Sequence, residues 1–198
     1  MTSQAMERRR LLRCAARAGL AIAAAGLLRP FAALGLIGSA QAGVMFRLQS
    51  SAFQDRQPIP KRYSCEGQNV SPPLAWSGAP AGTQSFALVC YDPDAPGSTF
   101  YHWAVFDLPW SLTKLAEALP KGAEAGGGSQ AINDFGERGY GGPCPPPGHG
   151  VHHYHFELFA VRVATLGLPA DARGTTVEMA AKREALALTE LVGLYVIG

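Results

Sequence analysis

The chain has 198 residues, 47% of them hydrophobic and 16% charged, and a formal net charge of +2. Six of its 17 Lys and Arg but only one of its 15 Asp and Glu fall in the first 42 residues, so the other 156 carry 11 basic and 14 acidic groups, net −3. That balance excludes a basic footprint for nucleic acid, and 156 residues suit one domain with a real core.

Residues 1–42 read as an export signal. Arg8, Arg9 and Arg10, extended by Arg13 and Arg17, precede an Ala/Leu/Gly-rich run that starts at Ala18 and ends at Gly38. Ala40-Gln41-Ala42 then offers a small-x-small cleavage site. Consecutive arginines before a mildly apolar segment resemble a twin-arginine signal. The rival is a retained membrane anchor. Arg29-Pro30 opposes it, because neither half reaches the roughly 20 apolar residues of a span. Cys14 precedes the apolar run and is badly placed for lipid attachment. The expectation is a periplasmic protein of one domain, residues 43–198, with no transmembrane span once the signal is removed.

Residues 44–50, VMFRLQS, alternate as a first strand. Gln57-Pro58-Ile59-Pro60 interrupts, since proline lacks the ladder donor. Residues 63–76 have no helical period and read as an ordered loop ending in a short strand at 74–76. Residues 85–91, SFALVCY, form the near-continuous apolar run of a strand buried on both faces. Asp92-Pro93-Asp94-Ala95-Pro96-Gly97 breaks it and presents Asp92 from a stiff loop. Asp94 reads equally as a turn former.

Residues 101–108, YHWAVFDL, form the next strand. Period two puts His102, Ala104, Phe106 and Leu108 on one face and Tyr101, Trp103, Val105 and Asp107 on the other. Residues 112–119 suggest one or two helical turns. Residues 121–138 show no regular pattern, and Gly126-Gly127-Gly128 reads as a flexible loop. Gln130, Asn133 and Asp134 read as turn formers before ligands. Residues 139–150 are a Gly/Pro loop that runs into a strand at 151–163. There His152, Tyr154, Phe156, Leu158 and Ala160 share a face. His153, His155 and Glu157 form a polar cluster on the other, read as solvated. Residues 175–188 are the main helix, with Thr175 or Thr176 as cap, and residues 187–197 return to strand. Seven or eight strands and one main C-terminal helix make the fold mainly β, an antiparallel β-sandwich with long ordered loops.

Beyond the signal there are three cysteines. An oxidising compartment permits one disulfide. Cys90 ends an apolar run and reads as a small buried residue. Cys65 and Cys144 both sit in loops and are the expected pair.

No Walker loop, dinucleotide glycine fingerprint, G-x-S-x-G, C-x-x-C or H-E-x-x-H is present. What remains is Asp92, His102, His152 and Tyr154 amid Gly and Pro backbone. Two imidazoles, a phenol and exposed loop N–H groups suit a small anion such as phosphate, sulfate or carboxylate. Asp92 can fix a histidine tautomer or take an amine of the ligand. A metal site is the rival, opposed because His152 and His155 point to opposite faces of a regular strand. A third possibility is a set of satisfied buried polar residues.

D-P-D-A-P followed by H-W, then G-Y-G-G-P-C-P-P-P-G-H-G-V-H-H-Y, resembles the phosphatidylethanolamine-binding protein family, in particular its bacterial Raf-kinase-inhibitor-like branch. C-E-G-Q-N-V-S-P at 65–72 and Asn133-Asp134-Phe135-Gly136 extend the likeness over nearly all of residues 43–198. The resemblance implies a β-sandwich with a small pocket for phosphate-like groups, formed by Asp92, Pro96, His102, Gly142, Pro143, His152 and Tyr154. His153 departs from the family's usual Arg. No cofactor and no catalytic residue is implied. The leading expectation is an exported, non-enzymatic binder of a phosphate-like or phospholipid-headgroup anion. An inhibitor or modulator docking a partner protein over the same pocket is the alternative. A weak hydrolase using His102 or His152 as general base comes third.

Overall fold

The computed structural model describes residues 45–198. Residues 1–42, read as the export signal, lie outside them. Two sheets, one α-helix and a single 3-10 turn at Lys61–Tyr63 make up the regular structure of the described part. The smaller sheet holds β1 (Arg47–Ser50), β3 (Leu74–Ser77) and β6 (Lys114–Leu115) in the order β1-β3-β6, all antiparallel. The larger holds β2 (Gln57–Pro58), β4 (Ser85–Asp92), β5 (Phe100–Pro109), β7 (Glu124–Ala125), β8 (Gly128–Gln130), β9 (His152–Val161) and β10 (Ala185–Tyr195). Its order is β2-β10-β9-β4-β5-β8-β7, antiparallel except where β10 meets β2.

β4 is apolar throughout because both of its faces are covered. Phe86, Leu88 and Cys90 enter a core shared with Leu48, Leu74, Trp76 and Leu115 of the smaller sheet. Ala87 and Val89 enter a second core with Val177 and Ala181 of α1 (Gly174–Glu184). Gly174 lets α1 approach β5, since a Cβ there would lie 2.7 Å from the Tyr101 ring.

Four expectations about local structure are corrected. Residues 112–119 are not helical. Lys114 and Leu115 pair with Ala75 and Leu74, and burying Leu115 against the core outweighs local helical preference. Residues 124–130 form a hairpin whose two-residue turn has Gly126 at φ 65 and Gly127 at φ 84, conformations suited to a tight hairpin and open to glycine. The helix ends at Glu184, because from Ala185 the backbone enters the ladder with β9. Its N-cap is Arg173, without a side-chain cap.

The fourth concerns β5, which does not alternate along its length. Cys90 pairs with Trp103 and Tyr91 with Tyr101, so His102 is the extra residue of a bulge. His102 and Trp103 consequently both turn toward the first core. His102 meets Tyr154 edge-on at 5.1 Å between ring centroids, and Trp103 meets Tyr140 at 5.6 Å. Tyr101, Ala104 and Phe106 go to the helix side. A second bulge centres on Asp107 (φ 58), whose carboxylate accepts from Thr165 Oγ1 and the Leu166 N–H.

Candidate functional site

Asp92 ends β4, His102 lies near the start of β5, and His152 and Tyr154 open β9. β4 lies between β5 and β9, so three strand ends deliver these side chains to one edge of the sheet. There they line a cavity of about 280 Å³ together with Ala95, Pro96, Phe100, Phe135, Cys144, Pro145 and Pro146. Clefts of about 470 and 430 Å³ border β1, but neither is lined by a histidine or tyrosine.

Asp92 is buried and both of its oxygens are engaged. Oδ2 accepts from His152 Nδ1 at 2.7 Å, and Oδ1 accepts from the Asp94 N–H at 2.9 Å. Asp92 thus fixes the His152 tautomer. The other nitrogen of His152 lies 2.7 Å from His149 Nδ1. His149 is a site residue that sequence reasoning left unassigned. Its signal was the spacing of three between two imidazoles across a glycine.

His102 Nδ1–H donates to the Gly141 carbonyl at 2.7 Å, which leaves Nε2 without a proton in the neutral ring. Burial holds its pKa below the ordinary histidine value, against the opposing pull of the Gly141 backbone bond and the Asp92 charge. The Tyr154 hydroxyl is buried and makes no hydrogen bond of ordinary geometry, although the Asp92 carboxylate and the Cys144 backbone lie near it. Burial, then the Asp92 charge, pushes its pKa up, so it stays a donor at any ordinary pH.

Phe135 closes one side. Its ring stands 5.4 Å from His102 and 4.7 Å from Phe100, both edge-on, and it is 48% exposed, so it also reaches the mouth. Gly141 must be glycine for this, since a Cβ there would lie 2.5 Å from the Phe135 ring.

Gly142 and Pro143 do not line this cavity; Gly142 lines an adjoining cleft of about 170 Å³ that shares Phe135 with it. The Gly142 N–H donates to Asn69 Oδ1 at 2.7 Å, and the Pro143 carbonyl accepts from the Cys65 N–H at 3.0 Å. A Cβ on Gly142 would lie 2.1 Å from the Tyr63 carbonyl oxygen. A Cys65–Cys144 disulfide joins the same two loops, while Cys90 is free and buried.

At the rim, His153 bonds Asp94 through both its backbone N–H (2.9 Å) and Nδ1 (2.7 Å). Burial pulls the Asp94 pKa up, but these bonds outweigh it and hold the carboxyl below its usual value. Gln130, Asn133 and Asp134 serve the scaffold. Gln130 accepts from Trp103 Nε1, Asn133 donates to the Gly139 carbonyl, and Asp134 accepts from the Tyr101 N–H. The expected solvated cluster on β9 is only partly so. Glu157 is buried and accepts from the Tyr91 hydroxyl, because β9 passes under covering side chains there. Among the described residues no group of three or more His, Cys, Asp or Glu is spaced to hold a metal ion, and no helix is long and apolar enough to cross a membrane.

The family described as phosphatidylethanolamine-binding protein matches residues 49–196. A UPF0098 protein of Aquifex aeolicus is 46% identical over 153 residues, covering 77% of this chain and 90% of that protein. A Mycobacterium tuberculosis protein named putative lipoprotein LppC is 42% identical over 148 residues, covering 75% of this chain and 71% of that one. The crystal structure of Escherichia coli YbcL, described as a new member of the mammalian PEBP family, superimposes with a TM-score of 0.72 at 35% identity, over 77% of this chain and 99% of YbcL.

Proposed function

We propose that this chain, which belongs to the phosphatidylethanolamine-binding protein family, is an exported, non-enzymatic protein that binds a small phosphate-like anion, such as a phospholipid headgroup, in the cavity between Asp92, His102, His152 and Tyr154. The two sheets around a shared core are read as a sandwich that carries this cavity at one edge.

The observation that carries the reading is the Tyr154 hydroxyl. A buried donor without a well-formed partner is costly, and here, on the wall of a cavity, it can be satisfied by a ligand atom. The hydroxyl stands beside the imidazoles of His102 and His152, in walls of Phe and Pro that would exclude water from the organic part of a ligand. Asp92 is occupied with orienting His152 rather than meeting a ligand amine. The double engagement of His152 leaves it no ring nitrogen free to take a proton from water, so a hydrolytic role would fall to His102 alone. Export rests on the arginine-rich segment before residue 43, and a relative named as a putative lipoprotein agrees with it.

The test is a titration with inorganic phosphate and with phosphoethanolamine, followed by imidazole NMR. His102 and His152 resonances should move together and saturate. Resonances that stay fixed at millimolar concentrations of both would overturn the reading.

A further inference from the structure

His149 ends a chain of side chains that begins at Asp92. A carboxylate only accepts, so the hydrogen between Asp92 and His152 Nδ1 belongs to the histidine. In neutral His152 the other nitrogen, Nε2, is then bare. It lies 2.7 Å from His149 Nδ1, so His149 donates its N–H to it. In this arrangement His152 lines the cavity with no N–H left to offer a ligand.

The capping residue is placed where it can leave. His149 is exposed, whereas His152 is buried. Gly148 (φ 75) and Gly150 (φ 98) flank it, and neither has an atom within 4 Å of where a Cβ would stand. The side of the backbone where a Cβ would stand is thus open at both glycines. The loop is anchored one and three residues earlier, where the Gly148 N–H meets the Ile197 carbonyl and the Pro146 carbonyl receives the His149 N–H.

We infer that His149 is a removable cap on His152 and sets the affinity of the site by competing with the ligand for Nε2. This rests on the anion-binding reading above. When an anion enters, His152 takes a proton from solvent onto Nε2 and donates it to the anion, and the His149 ring swings out. A ligand that needs the uncapped state binds with its intrinsic affinity reduced by the uncapped fraction. His149 therefore weakens every ligand that uses His152 and leaves unaffected any that does not.

The experiment compares the full chain with its His149→Ala variant in a calorimetric titration with inorganic phosphate. The variant should bind about tenfold tighter, as for a site uncapped about a tenth of the time, with an unchanged melting temperature. Nitrogen-15 spectra of the unaltered protein supply a second readout. His149 Nδ1 should lose the signature of its bond to His152 as phosphate saturates. Equal or weaker phosphate binding by the variant, or a His149–His152 bond that persists at saturation, overturns the cap while leaving the anion pocket intact. Absence of phosphate binding by both proteins overturns the pocket and the cap together.

Discussion

His102 is a titratable group whose burial works against its own charge. Its folded-state pKa lies below the value of about 6.5 of an unfolded histidine, so between those two values the unfolded chain binds more protons than the folded one. Its contribution to stability is complete above about pH 6.5 and is lost as pH falls toward the lower folded value. Urea midpoints should therefore drop between pH 7.5 and 5.5 more steeply for the unaltered protein than for His102→Gln, and equal slopes would contradict this. Tyr154 makes the opposite case. Removing a buried hydroxyl that has no well-formed partner orphans little, so Tyr154→Phe should change stability by less than about 1 kcal/mol while losing phosphate affinity. A variant that loses both would mark the hydroxyl as structural. Asp92, His102, His152 and Tyr154 were all legible from residue type and loop-to-strand position. His149 was not, because a 2.7 Å contact across a glycine depends on how the loop folds back.

The strands behave according to how their neighbours cover them. On β9 the residues at 154, 156, 158 and 160 enter the first core, as period two requires. Phe156→Ala would open a cavity there and should cost about 3–5 kcal/mol, measured by chemical denaturation. A loss below about 1 kcal/mol would mean that this face is not a packed core. β5 escaped the same rule because bulges at His102 and Asp107 shift the register against β4. Nothing in YHWAVFDL announces a bulge, since its residues suit either face. Without the first bulge His102 and Trp103 would face opposite sides, and the imidazole would miss the cavity. The loop beside the cavity is equally exacting. Gly142→Ala would drive a Cβ into the Tyr63 carbonyl, and should cost about 2–3 kcal/mol. It should also weaken phosphate binding by shifting the neighbouring Gly141 carbonyl that holds His102. An unperturbed melting temperature would show that the loop gives way.

At the scale of the molecule, the Cys65–Cys144 bridge closes a loop with a sequence separation of 79 and ties the two loops beside the cavity together. The chain-entropy model assigns such a closure about 4.5 kcal/mol, or roughly 14 °C in melting temperature for a domain of this size. Reduction, or a Cys65→Ala/Cys144→Ala double variant, should show that loss in a thermal melt, and no change would rule out a stabilising role. Composition and pattern by themselves determined that the chain is mainly β with one helix, that residues 85–91 lie buried on both sides, and which side chains could carry chemistry. These follow from local physics: alternation, the missing proline donor and the charge balance. The tertiary structure decided the rest. It moved the helix end back to Glu184, made strands of Lys114–Leu115 and Gly128–Gln130, left Gly142 and Pro143 out of the cavity lining, and joined Asp92, His152 and His149 by hydrogen bonds. Each of those outcomes depends on which strand pairs with which and where the register slips. Such choices are settled by contacts between residues distant in sequence, and no local stretch contains them.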